Sequence, residues 1–219
     1  AFVWRIHPNG AVDQFAALDP TGFPNDLAFD DDGNLFVTDP FLGLIWRIDE
    51  DGNAESWLED PLLLGNAANP ALLIHEFGAD GIAFDKHGDN LYIGNLDYGE
   101  ILRVGVDCHG EADGIEVFAS DPLLVGADGI AFDKKETLYV AVNGQDRLAA
   151  VSPDGEVTSV FQGAPLDGPS SLVFGVHGND KKTLYIASFA ISRALGTQPG
   201  APHPSLSRLA TRTGGLPLP

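Results

Sequence analysis

The sequence predicts an all-β chain, a β-propeller of four-stranded blades, on three observations. The nonapeptide Gly-Ala-Asp-Gly-Ile-Ala-Phe-Asp-Lys occurs twice, at 78–86 and at 126–134. Short strands rich in aromatic and β-branched residues follow each copy, divided by turns such as Asp32-Gly33, Asp51-Gly52 and Asp154-Gly155. No window carries the 3.6-residue apolar stripe of an amphipathic helix. Four short strands recurring at a period of roughly 40 to 50 residues is how a propeller blade is written.

Taken along the chain, 3–6 and 12–17 read as the third and fourth strands of a blade, giving a half-blade at 2–18. Pro24-Asn25-Asp26-Leu27-Ala28-Phe29-Asp30 aligns with Ala79 to Asp85, with Ala127 to Asp133 and more loosely with Pro169 to Gly175, so Asn25, Asp80, Asp128 and Ser170 are equivalent positions. A second strand follows each copy, at 35–37, 91–93, 138–140 and 184–186. Third strands are expected at 45–48, 101–104, 148–151 and 205–210, and alternating fourth strands at 54–58 and 156–161. Complete or nearly complete blades are therefore expected at 23–60, 78–121, 126–163 and 168–211, with a tail at 212–219, all in one domain spanning 1–219.

Composition excludes several functions. The net charge of -20, from 32 acidic against 12 basic residues, repels phosphate backbones and argues against nucleic acid. No run approaches the roughly 18 apolar residues of a membrane span, since the stretch at 62–74 is broken by Gly65, Asn66, Asn69 and Pro70. Cys108 is the single cysteine, so neither an intrachain disulfide nor a thiolate cluster can form, and its neighbour His109 points away from it in an extended chain. The six histidines (His7, His75, His87, His109, His177 and His203) have no paired ligand spacing for zinc. There is no Gly-x-Ser-x-Gly elbow and no glycine-rich phosphate loop opening a helix. Asp30 to Gly33 and Asp49 to Asn53 lack the glycine and glutamate spacing of a calcium-binding EF-hand loop and read as hairpin turns.

The innermost strands of a propeller line its channel, so equivalent residues at their mouths converge. Asn25, Asp80 and Asp128 would present oxygens to one another there, and a hard cation would relieve the repulsion of the two carboxylates. The alternative for the same positions is an Asx residue that caps a turn before each strand.

The segments GFPNDLAFDDDGNLFVTDP, FGADGIAFDKHGDNLYIGNLD, VGADGIAFDKKETLYVAVNGQ and PSSLVFGVHGNDKKTLYIAS resemble, in order, consecutive blades of the SMP-30/gluconolactonase/LRE-like family. That resemblance covers nearly all of the chain. It implies a six-bladed propeller with a divalent metal on its axis, calcium first and magnesium, manganese or zinc as substitutes. It further implies metal-dependent hydrolysis of sugar-type lactones, with a small-molecule lactone as the partner. Asp128 is carried over as metal ligand and base, Asp80 as a ligand where the family has Asn, and Asn25 as ligand or substrate contact. Asn143 and Ser170 are carried over as channel-facing, substrate-binding residues. The family's first blade, with its Glu-Gly-Pro glutamate ligand, has no counterpart here, and about 60 to 80 further N-terminal residues are expected in the native protein. The competing expectation is a non-catalytic propeller that binds a ligand or a protein partner. Another chemistry on a similar six-bladed scaffold, such as that of strictosidine synthase, is the third.

Overall fold

Strand pairing in the computed structural model, which describes residues 1–72 and 75–217, divides the chain into five successive antiparallel sheets. The first is a hairpin of β1 (Phe2–Ile6) and β2 (Val12–Ala17). Three four-stranded sheets follow. They are β3 (Leu27–Phe29), β4 (Leu35–Asp39), β5 (Leu44–Ile48) and β6 (Ala54–Glu59); β7 (Ala79–Phe84), β8 (Asn90–Asn95), β9 (Glu100–Val106) and β10 (Ala112–Ser120); and β11 (Ala127–Phe132), β12 (Leu138–Val142), β13 (Arg147–Val151) and β14 (Val157–Gln162). The last sheet has three strands, β15 (Pro169–Phe174), β16 (Thr183–Ser188) and β17 (Ser205–Ala210). Each sheet is a meander in chain order, as a propeller blade is. No strand pairing joins the first hairpin to the last sheet among the described residues. The hairpin instead packs Ala16 and Leu18 on Leu35, Val37 and Ile48 of the next blade.

The duplicated nonapeptide has a physical meaning in this stack. The innermost strands β3, β7, β11 and β15 stand side by side around the channel. Gly81 and Gly129 let them do so, because a Cβ at Gly81 would lie 2.2 Å from the carbonyl oxygen of Asp128, and one at Gly129 would lie 2.8 Å from that of Ser170. The phenylalanine of each copy then meets an aromatic residue from the second strand of the preceding blade. Phe84 meets Phe36 at 5.1 Å, Phe132 meets Tyr92 at 5.0 Å and Phe174 meets Tyr139 at 5.7 Å, all edge to face. Such pairs add about 0.5–1.5 kcal/mol each beyond the area they bury. The final aspartate ties the turn that follows: Asp30, Asp85 and Asp133 each accept two backbone N–H groups of their own loop. The last blade has Gly175 at this position and turns instead through a 3₁₀ segment.

Among the described residues the only α-helical turn lies after β16. A single helical turn, α1 (Ile191–Ala194), follows Ala190, which sits fully buried in the left-handed region at φ 59°. The repeat gives no sign of it, since 189–204 has no counterpart in the earlier blades. Arg193 on this turn bonds both Asp146 and Asp167, fixing the segment to two loops at the channel mouth.

Candidate functional site

The inner strands open onto a channel of about 930 Å³, lined by residues of β3, β7, β11 and β15 and by Leu216 and Pro217. At its mouth the carboxylates of Asp80 and Asp128 stand within electrostatic reach of Asp26, the one of the three that lines the channel. Asp80 is buried at the start of β7 and accepts a hydrogen bond from Asn25 Nδ2, whose own backbone N–H bonds Thr38. Thr38 Oγ1 donates to the Asp80 carbonyl at 2.6 Å, which locks the strand start in place. Asp128 is half-buried on β11 and accepts from Asn143 Nδ2 at 2.9 Å. Neither carboxylate caps its own turn, and both are turned toward neighbouring blades or loops.

Burial holds Asp80 well above the ordinary carboxylate range, and the charges of Asp128, Asp26 and Asp97 push it further. Burial likewise raises Asp128, to about 8; the bond from Asn143 opposes this, and the charge of Asp26 adds to it. Like charges taken out of water without a compensating cation produce this behaviour.

Asp26 is the member that the repeat alignment conceals. It stands where the next two blades have Gly81 and Gly129, and its carboxylate accepts the N–H groups of Leu27 at 2.9 Å and Ile82 at 3.1 Å. Burial raises its pKa against those two bonds. The signal that could have found it is the loss of glycine at a position where the other copies need one. An aspartate there bridges β3 to β7 with its side chain, where the glycines allow backbone contact.

Of the five residues singled out from the sequence, four form one chain of contacts: Asn25 with Asp80, Asp80 electrostatically with Asp128, and Asp128 with Asn143. Ser170 is not part of it, and its Oγ makes only a long 3.5 Å contact to the Ala187 carbonyl within its own blade. Its role in the packing is through the carbonyl that faces Gly129.

Whether these residues suit a divalent cation is decided by their donors. Among the described residues no three His, Cys, Asp or Glu side chains are gathered in a preformed ligand cluster. The available set is two carboxylates, on Asp80 and Asp128, and amide oxygens. One of those, Asn143 Oδ1, is buried without any hydrogen-bond partner, an expensive condition for a polar atom that a ligand would remedy. All-oxygen, built on two carboxylates and partly desolvated, the set fits a hard cation of the calcium or magnesium type and does not fit a thiophilic one. Asp26, tied to two backbone amides, supplies charge rather than a free oxygen.

A second group of charges lies behind Asn143. Asp146, in the left-handed region at φ 50°, takes Arg193 Nη2 at 2.7 Å through one oxygen and the Gly168 N–H at 2.8 Å through the other. The Asp146 N–H in turn bonds the Asn143 carbonyl at 3.3 Å. This fixes the loop from which Asn143 reaches Asp128.

Comparison with known proteins agrees with this architecture. The model of the SMP-30/Gluconolactonase/LRE-like region matches residues 3–190. No curated protein matches the chain. Among solved structures, a calcium-binding protein, regucalcin, from Agrobacterium tumefaciens is 16% identical with a TM-score of 0.69, over 96% of this chain and 69% of that one. A gluconolactonase from Xanthomonas campestris is 18% identical with a TM-score of 0.60, over 84% of this chain and 60% of that one. A virginiamycin B lyase from Staphylococcus aureus is 16% identical with a TM-score of 0.63, over 98% of this chain and 62% of that one. At such identities the likeness speaks for the fold, and the chain spans about two thirds of these relatives.

Proposed function

Because the chain belongs to the SMP-30/gluconolactonase/LRE-like family, we infer that it is a metal-dependent hydrolase of lactones whose centre is the Asp80–Asp128 pair, with aldonolactones as the first substrates to test. The observation that carries this reading is the pair itself: two carboxylates at the channel mouth, each held above its ordinary pKa by burial, with the orphaned oxygen of Asn143 beside them. Asp80 and Asp128 would hold the cation, calcium foremost, with Asn25 or Asn143 lending an amide oxygen. The cation, when bound, would polarise the ester carbonyl and acidify water.

The remaining work falls to the chain's own side chains. Asp128 would accept a proton from the attacking water as general base. The water oxygen bonds the carbonyl carbon, the ring C–O bond breaks, and the released oxygen takes a proton to give the open hydroxy acid. Asn143 would orient Asp128 through the bond it donates. Asn25 would orient Asp80 in the same way and face the substrate. Ser170, one strand further round the channel, would at most touch substrate.

Hydrolysis followed in a pH-stat, with aldonolactones and added calcium, magnesium, manganese or zinc, tests the reading alongside calorimetry for the metal. Turnover that depends on the cation and falls with Asp128→Asn supports it. Absence of metal binding, or an Asp128→Asn variant that matches the parent, would remove Asp128 from its role. The second reading, a propeller that binds without catalysing, is favoured by the lack of a three-acid ligand cluster among the described residues. It requires binding with no turnover under any of the four cations.

A further inference from the structure

We propose that the rings of Phe23, Phe41, His75 and Phe77 form the substrate-side wall of this centre and receive the apolar part of the lactone, so that the protein selects cyclic esters bearing an aryl or alkyl group over polyhydroxylated ones. The proposal rests on the lactonase reading above and puts apolar lactones in place of aldonolactones as its preferred substrates.

The four rings form one group. Phe23 stacks on Phe41 at 5.0 Å, Phe41 on His75 at 4.3 Å, and Phe77 meets Phe23 and Phe41 edge-on at 5.6 and 5.3 Å. Phe23 precedes Asn25 by two residues and Phe77 precedes Asp80 by three. With at most about 3.6 Å of chain per residue, the wall starts within about 11 Å of the Asn25–Asp80 bond. It is not the buried kind of cluster: Phe23 is 45% exposed and the His75 side chain 47%. Exposed apolar rings beside a polar mouth are the usual composition of a small-molecule pocket.

The rings are also held in place from behind. Buried Asp39 accepts the Phe23 N–H at 2.9 Å, and buried Asp97 accepts those of Phe77 at 2.8 Å and Asn66 at 2.9 Å. These two carboxylates sit under the wall, at 0% and 4% exposure, where no sugar hydroxyl can reach them. Of the acceptors around the rings, Asp39 and Asp97 are spent on backbone N–H groups, and the exposed Glu76 carboxylate lies beside His75. The acidic centre and the net charge of -20 disfavour an anionic substituent, and the ring faces suit a neutral apolar one.

The test pairs binding with turnover. Calorimetry with calcium present compares two non-hydrolysable lactams, 3,4-dihydroquinolin-2-one and gluconolactam, while the pH-stat compares 3,4-dihydrocoumarin with gluconolactone. The aryl lactam should bind at least about tenfold more tightly; Phe23→Ala should weaken it about tenfold, and Phe23→Trp, which restores a flat ring, should not. Circular dichroism checks that each variant is folded. Equal affinity for the two lactams, no binding of either, or indifference to Phe23→Ala overturns the proposal. Aryl-lactam binding that Phe23→Ala abolishes, without hydrolysis of either lactone, keeps the wall and removes the lactonase reading. Hydrolysis of both lactones that ignores Phe23 does the reverse.

Discussion

Replacing Asp128 by Asn in the cation-free protein should make the fold less sensitive to rising pH. Asp128 has a pKa of about 8 in the folded chain against an ordinary 3.8. Between those values the folded state holds a proton that the unfolded chain has already released, so stability is highest at the acid end and falls as pH rises toward 8. Each pH unit in that window removes about 1.4 kcal/mol for one group, so moving from pH 5 to pH 8 costs about 4 kcal/mol as a ceiling. Asp80, also raised, adds to the slope in the same direction. The Asp128→Asn variant keeps an acceptor for Asn143 and loses one titrating group, so its slope should be shallower and it should exceed the parent in stability near pH 8. Urea unfolding in chelator at pH 5, 6.5 and 8 measures this, with the slope of each transition compared to confirm that the same surface unfolds. Added calcium should restore the parent at pH 8 and do far less for the variant, because a ligand of the native state stabilises only in proportion to its affinity. Parallel pH profiles for parent and variant would refute the claim that Asp128 is a half-buried acid facing like charge.

Asp80→Asn restores the residue the family pattern expects, and should weaken calcium binding severalfold by calorimetry while keeping a working centre. Asn143→Ala withdraws the bond that opposes the burial of Asp128, and is expected to cost about 1–3 kcal/mol in urea and to reduce metal affinity. Arg193→Met leaves Asp146 and Asp167 facing each other; a loss of about 2 kcal/mol is expected, below the range for fully buried pairs because the guanidinium side chain keeps 22% exposure. Gly81→Ala drives a methyl into the Asp128 carbonyl and should lower the unfolding midpoint by the equivalent of about 3 kcal/mol, whereas Gly33→Ala, with open space around it, should incur only its backbone strain.

The propeller was legible because its blades repeat, and each repeated residue has a job that its neighbours specify. The aromatic residues of three second strands, Phe36, Tyr92 and Tyr139, meet the next blade, and the Asp-Gly turns announce the hairpins. The wall of Phe23, Phe41, His75 and Phe77 carries no such signal. Its members come from separate connections, and only folding brings them together through backbone bonds to Asp39 and Asp97. The α1 segment and its Arg193 were hidden for the related reason that they lie where the repeat stops. For the proposed centre, residue type and equivalence point to Asp80 and Asp128, and equivalence alone points to Ser170, whose hydroxyl turns back to its own blade.

Asp26 shows why a repeat misleads at the place where it changes. Gly81 and Gly129 hold the packing between inner strands by having no side chain, and any residue with a Cβ would push those strands apart. At the equivalent place in the first full blade, β3 is three residues long and its Leu27 and Phe29 remain about half exposed, so the constraint on side-chain volume is relaxed. An aspartate can enter there. Once present, it replaces missing strand contact with two bonds to backbone N–H groups, one of them across to β7, and places a third negative charge next to Asp80 and Asp128. The same substitution thus joins two blades and raises the demand for a cation at the mouth. Those effects separate in Asp26→Asn, which keeps an acceptor for one of the two N–H groups and removes the charge. Calcium affinity should fall while stability in chelator above pH 7 rises. Lower stability with unchanged affinity would mean that Asp26 serves the joint between β3 and β7 alone.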